Sequence, residues 1–227
     1  MIYTFWEGPM PDYIQMCLET WKMPHTVLNY SNLQEYTTIN MEGLKSFTLP
    51  QQSDAVRAHV LRDNGGWWLD SDTILLTEEL PKENVIGDLV TRAHSTGLCH
   101  WTKDAEQFFK DWAEYQDRVI ADPDHSRSWR VLVNMFTDEY VQGHKEITIY
   151  PYEKCRPELW KVSHGDSQKR YEDFYFWQSC RLADMGETSI FVLHNSWTPA
   201  WYKALKRSDI LEHGCTMSNI LRDALRR

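Results

Sequence analysis

The 227-residue chain has no CxxC pair, no internal repeat, no low-complexity linker and no excess of positive charge. Each absence closes off a class. Cys17, Cys99, Cys155, Cys180 and Cys215 form an odd, scattered set, which suits free thiols in a reducing compartment. No apolar run approaches the roughly 20 residues of a membrane span. The opening MIYTFWEGPMPDY lacks the basic start and apolar stretch of a signal peptide, so the expected location is cytoplasmic. Lys and Arg number 24 against 33 Asp and Glu, a net charge of −9. A nucleic-acid binder would show a basic stripe instead. A small anionic ligand then requires a metal or a local Arg to carry positive charge.

Aromatic surface is plentiful, with 11 Trp and 11 Tyr. Such rings fill cores, and they also stack on bases and sugars. Ile2–Trp6 reads as a strand. Asp12 and Gln15 read as a capping pair for a helix whose apolar stripe is Ile14, Cys17, Leu18 and Trp21. TVLNY (26–30) is a second strand, giving a β-α-β opening. Ser53 is the expected N-cap of the helix DAVRAHVLRDN, which Gly65 terminates. Strands follow at WWLD and at 85–91. A helix at 103–120 has Phe108, Trp112, Tyr115 and Val119 on one face, and another covers 129–140. Short strands close the series at 147–150 and 189–193. This alternation predicts an α/β domain with a largely parallel sheet, whose ligands gather at the carboxyl ends of strands.

The stretch SDAVRAHVLRDNGGWWLDSD (53–72) carries the chemistry. Asp54 and Arg57 lie at i and i+3 of one helix face. Asp70 and Asp72 lie at i and i+2 of an extended segment and so point to one side, where like charges repel. A divalent cation between them relieves that conflict, and hard carboxylate oxygens suit Mn²⁺ or Mg²⁺. An isolated D-x-D is common by chance and is then only a solvated pair. The full cassette, S-D-x-x-R followed by G-G-x-aromatic-x-D-x-D, is far more specific.

That cassette resembles glycosyltransferase family 32 and the capsular-polysaccharide transferases, and is similar to the glucosylating domains of large clostridial toxins. The opening IYTFWEGPMP and the late VLHNSWTPAW resemble the family's two ends. The resemblance implies one GT-A catalytic domain over 1–227, with a nucleotide-sugar half (1–100) and an acceptor half (101–227). It implies a retaining, metal-dependent transfer of a hexose from a UDP-sugar to a saccharide acceptor in capsular or other cell-surface polysaccharide synthesis. The acceptor is either free or lipid-linked at the inner membrane face.

Carried over residue by residue, Trp6 stacks on the base and Asn32 lies near the ribose or base. Asp54 and Arg57 hold the donor sugar. Asp70 touches the ribose or metal-bound water, and Asp72 binds the metal. Trp68 stands where relatives carry Tyr, so a hydroxyl is lost there. His194, after the apolar SIFVL, is the best placed of nine histidines for a further metal ligand, with Asn195 or Ser196 as substitutes. Ser196 and Trp197 contact the diphosphate. An ordinary packing role is the alternative for Trp6, Asn32, His194 and Trp197. The C-terminal NILRDALRR reads as a final helix packed on the domain, with a short membrane-surface helix as the alternative. Oligomeric state is not legible.

Two other readings compete. A catalytically silent nucleotide-sugar- or carbohydrate-binding module of the same fold has no need of the D-x-D clamp. DSDTILL is out of register with the haloacid-dehalogenase phosphatase motif D-x-D-x-T/V-L, because Thr73 follows Asp72 directly and position 74 is Ile.

Overall fold

The computed structural model describes residues 1–87, 95–102, 105–122, 128, 131–133, 135, 138–151, 154–155, 167–185 and 188–227. In chain order these form β1 (Ile2–Phe5), α1 (Asp12–Glu19), β2 (His25–Leu28), α2 (Met41–Leu44), α3 (Leu49–Asn64), β3 (Gly66–Leu69), β4 (Thr73–Leu75), β5 (Val85–Gly87) and β6 (Ser95–Trp101). They continue through α4 (Glu106–Ala121), α5 (Asp138–Gly143), β7 (Thr148–Tyr150), α6 (Ser167–Glu172), β8 (Ile190–Val192), α7 (Ala200–Lys203), α8 (Arg207–Glu212) and α9 (Thr216–Leu225). The fold is α/β, as the alternation predicts, and GT-A-like, as the resemblance implies.

The contacts divide the chain into two compact units that interleave along the sequence. The first takes residues 1–8, 25–69 and 81–149, and the second takes 9–24, 70–80 and 150–227. These units do not follow a boundary near residue 100, since each draws residues from both sides of it.

The first unit holds a six-stranded sheet of order β2-β1-β3-β6-β5-β7. β1 runs parallel to β2 and to β3. β6 is antiparallel to both β3 and β5, so β2, β1, β3 and β5 share one direction and β6 opposes them. In the β3–β6 register Trp67 faces His100, and their rings stack 4.3 Å apart. Trp68, on the opposite face, is fully buried with Phe108, Phe109 and Trp112. The inward face of α4 is Phe108, Phe109, Trp112, Ala113, Gln116 and Ile120. Tyr115 and Val119, expected from sequence in that stripe, are only half-buried at its edge.

Gly66 takes φ 88°, which L side chains rarely adopt, and a Cβ there would meet the Met1 carbonyl oxygen at 2.6 Å. That oxygen accepts the Trp67 N–H at 3.0 Å, which fixes where the chain start meets β3. Gly66→Ala should therefore lower stability by about 2 kcal/mol, from the strained φ and the backbone contact. Urea titration against the wild type measures it, and a loss below a few tenths would refute the strain argument.

α3 begins five residues earlier than the sequence reading placed it. Thr48 is the N-cap, and a reciprocal capping box with Gln51 holds the first turn, in which Pro50 needs no hydrogen-bonded N–H. Ser53 therefore lies inside the helix. α3 is clasped to α4 by the buried Gln116 amide, which donates to Asp54 O at 3.0 Å and Leu132 O at 2.9 Å. His59 joins the two helices again, its Nε2 2.9 Å from Asp117 Oδ1.

That hydrogen bond with His59 is the main reason the Asp117 carboxyl lies below its ordinary value of 3.8. A carboxyl with a depressed folded pKa contributes stability that is complete above the unfolded value and is lost as pH falls through the folded one. Wild type should thus lose stability faster than Asp117→Asn as pH drops below about 4, a difference that thermal melts at pH 3 and pH 6 would reveal. Parallel curves would sink it.

The second unit is built on the two-stranded pair β4–β8. α1 is bound to it by two hydrogen bonds: the Trp21 indole donates to Thr73 O at 2.8 Å, and the Leu75 N–H donates to Thr20 Oγ1 at 3.0 Å. The expected Asp12/Gln15 cap is not formed. Asp12 is already the first helical residue, and its carboxylate accepts the Arg207 N–H at 2.9 Å instead. α9 buries Ile220, Leu221 and Ala224 within this unit, so the C-terminal segment is a packed helix.

The strand expected over 85–91 is described only to Gly87, and 88–94 lie outside the described residues. The helix expected over 129–140 lies partly outside them as well. Its described residues 131–133 form a turn, and α5 starts at Asp138. Among the described residues no helix is long and apolar enough to cross a membrane.

Candidate functional site

In the first unit, α3 and β3 bring Asp54, Arg57 and Trp68 together. Arg57 Nη1 lies 3.2 Å from Asp54 Oδ1, one helical turn apart. The guanidinium sits 5.1 Å from the centroid of the Trp68 ring. Arg57 is only 3% exposed and Trp68 is fully buried, so a permanent cation is held against an aromatic face with little water to screen it. The earlier start of α3 places Asp54 and Arg57 beyond its first turn.

Trp6 directly follows β1 and extends the pairing by donating its N–H to Leu28 O at 2.9 Å. Its indole N–H is buried and has no hydrogen-bond partner among the described residues. A buried donor without an acceptor is unfavourable, and a ligand carbonyl or hydroxyl would relieve it. Asn32 braces the turn after β2, its Nδ2 donating to Val27 O at 3.0 Å and its Oδ1 accepting the Asn29 N–H at 2.8 Å. These bonds are those of an ordinary turn asparagine.

In the second unit the acidic pair is not part of a strand. Asp70 and Asp72 lie in a tight turn between β3 and β4, closed by the Thr73 N–H donating to Asp70 O at 2.9 Å. The i, i+2 alternation of an extended segment therefore does not set their directions. Chain reversal replaces it, because β4 leaves to pair with β8 rather than to continue β3. Asp70 is half-buried, and Asp72 is buried at 6% exposure.

The β4–β8 register pairs Thr73 with Val192. That carries Asp72 alongside the segment that follows β8. The Leu193 N–H donates to Asp72 O at 3.4 Å. The Asn195 N–H donates to Asp72 Oδ2 at 2.5 Å, a charge-assisted bond that compensates a buried carboxylate. Asn195 is held in turn by the fully buried Tyr13, whose hydroxyl donates to its Oδ1. Burial, and then the Asp72 charge, push the Tyr13 hydroxyl well above the ordinary tyrosine range, so it stays a donor.

His194 packs on Trp197 with ring centroids 3.8 Å apart, and Tyr171 meets it edge-on. Ser196 is exposed beside them. Lys203, on α7, is half-buried. Burial lowers its pKa, and the charge of Asp72 opposes that shift. Sequence reasoning missed Tyr13 and Lys203. The signal for Lys203 was its place six residues beyond Trp197. Tyr13 left no signal, since its helix position reads as core.

A hard divalent cation binds through one or two carboxylates together with substrate phosphates and water. The oxygens of Asp70 and Asp72 fit that chemistry. Among the described residues no three His, Cys, Asp or Glu side chains gather as a metal-holding group, so Asp70, Asp72 and His194 do not form a ready-made triad.

Residues 1–189 match the model of a family described as capsular polysaccharide synthesis protein. No curated protein matches the chain.

Proposed function

We propose that this chain, which belongs to the capsular polysaccharide synthesis family, is a metal-dependent glycosyltransferase moving a hexose from a UDP-sugar to a saccharide. The observation that carries this reading is the union of the acidic turn with the late HNSW segment through Asp72 and Asn195. A solvated surface turn would have no reason to bury one carboxylate against a backbone N–H from 123 residues away. A site that must hold a fixed negative charge does.

Sugar transfer from a nucleoside diphosphate requires above all that charge on the departing phosphate be stabilised. A Mn²⁺ or Mg²⁺ ion held by Asp70 and Asp72 supplies Lewis acidity there when bound. Arg57 and Asp54 orient the donor sugar, with Arg57 offering a fixed fork for hydroxyl or phosphate oxygens. Trp6 covers the base, and its indole N–H gains an acceptor. Ser196 and Trp197 contact the diphosphate, and Lys203 adds a cation beside Asp72. His194 positions Trp197 by stacking and can add a ligand to the metal. The cassette's resemblance to that of family-32 enzymes and toxin glucosylating domains supports retention of anomeric configuration.

The test is UDP release from a panel of UDP-sugars, with Mn²⁺ and with chelator. Turnover of one donor that needs the metal is the expected result. Binding of UDP-sugars without turnover in the presence of oligosaccharide acceptors would favour a silent binding module. No binding at all would overturn the reading.

A further inference from the structure

The second unit carries an aromatic cleft that the donor chemistry leaves unused. α6 continues into a π-helical turn over Asp173–Trp177, a rare geometry that often marks functional sites. The turn buries Tyr175 and Phe176 and leaves Trp177 69% exposed. Trp201, from α7, is 37% exposed beside it. The two indoles lie 6.1 Å apart and are inclined at 49°, so they form two walls rather than one flat platform. His213 lines the cleft next to Trp201, with ring centroids 5.3 Å apart. The cleft has a volume of about 510 Å³, within the range of small-molecule sites.

Among the described residues its lining contains no Asp, Glu, Lys or Arg. That composition is wrong for a diphosphate or an anionic headgroup, each of which requires cations. The polar edge offers donors and acceptors without charge. The Cys215 N–H donates to His213 Nδ1 at 3.2 Å, which in the neutral ring places the proton on Nε2 as a donor. Ser179 Oγ accepts from Asn219 at 3.4 Å, which leaves its own O–H to donate. Gln178 is an exposed amide. The edge is also preformed, since the Thr216 N–H donates to Gln178 O at 2.9 Å and the Cys180 N–H donates to Thr216 Oγ1 at 3.0 Å.

Apolar ring faces flanked by neutral hydrogen-bonding groups match a pyranose, whose faces present C–H groups and whose rim presents hydroxyls. We propose that the cleft around Trp177 and Trp201 is a saccharide subsite that stacks neutral sugar rings of the acceptor chain. The inference rests on the glycosyltransferase reading only for the word acceptor. The cleft lies on the same aromatic layer as the HNSW segment. Phe176 packs on Tyr202, and Tyr202 packs on Tyr13, the residue that holds Asn195.

The experiment is saturation-transfer NMR of the full chain with cellohexaose, maltohexaose and chitohexaose. The variants are Trp177→Ala, Trp177→Phe and Trp177→Ala/Trp201→Ala. At least one hexasaccharide should bind the wild type. Its half-saturation concentration should rise at least tenfold in the double variant, rise less in Trp177→Ala, and stay within about threefold of wild type in Trp177→Phe, which keeps a ring. Trp177 is so exposed that its replacement tests the idea without threatening the fold. Binding of none of the three sugars, or binding that ignores both tryptophans, would overturn the proposal. So would tryptophan-dependent flotation with phosphatidylglycerol–phosphatidylethanolamine vesicles in the absence of sugar binding. UDP binding by the wild type is followed separately. If UDP fails to bind while the tryptophan-dependent sugar signal persists, the donor reading falls and the subsite stands. The opposite pattern removes the subsite alone.

Discussion

Asp72→Asn is expected to lower metal-dependent donor turnover about a thousandfold, the scale of losing a fixed charge opposite a developing anion. The amide matches the carboxylate in shape and can still accept the Asn195 N–H through its oxygen. The tie between the acidic turn and the HNSW segment therefore survives while the negative charge does not. Asp72→Ala removes both. If the charge carries the effect, the two variants should be almost equally inactive, and Asp72→Asn should melt closer to wild type. If the tie alone matters, Asp72→Asn would keep most of its activity, and the role assigned to Asp72 would have to be abandoned. Initial rates at saturating Mn²⁺, with thermal melts on the same samples, separate the cases.

The second large effect is expected at Arg57. Replacing it with Met leaves the Asp54 carboxylate without its helical partner and takes the cation from the Trp68 face. The cost should be about 3 kcal/mol, the lower end for breaking a buried pair because Asp54 is partly open to water. Arg57→Lys keeps the charge but not the planar fork or the stacking, and should cost only about 1 kcal/mol. Its donor turnover should still fall about a hundredfold, because a point charge cannot reproduce a fixed two-pronged contact. Equilibrium urea unfolding measures the first effect and steady-state kinetics the second. Near-wild-type turnover in Arg57→Lys would show Arg57 to be a structural cation only.

The β-α-β opening was legible because Ile2–Phe5 and the TVL of β2 flank a helix with a clear stripe. β6 was not. Ser95–Trp101 reads STGLCHW, with a glycine and a histidine inside, and it becomes a strand only because β3 and β5 flank it. The start of α3 was misplaced because Ser53 resembles a cap, although TLPQ, with its threonine and glutamine three apart, holds the true signal. At the site, the residue types of the acidic cassette could be read locally. Its geometry could not. The Asp70–Asp72 turn follows from the departure of β4 toward β8, and that pairing joins segments more than a hundred residues apart. Tyr13 shows the same limit, since nothing in DYIQMCLE says that its hydroxyl reaches Asn195.

That long-range pairing also orders events during synthesis. A ribosome completes Asp72 well before it delivers the β8 strand, and closing the intervening loop costs on the order of 4 kcal/mol in chain entropy. Until Asn195 emerges, the carboxylate has no backbone N–H to meet, and the nascent chain carries an acidic turn that cannot yet be a site. The tie that defines the proposed site therefore forms late in translation, once the three register pairs of β4 and β8 have closed.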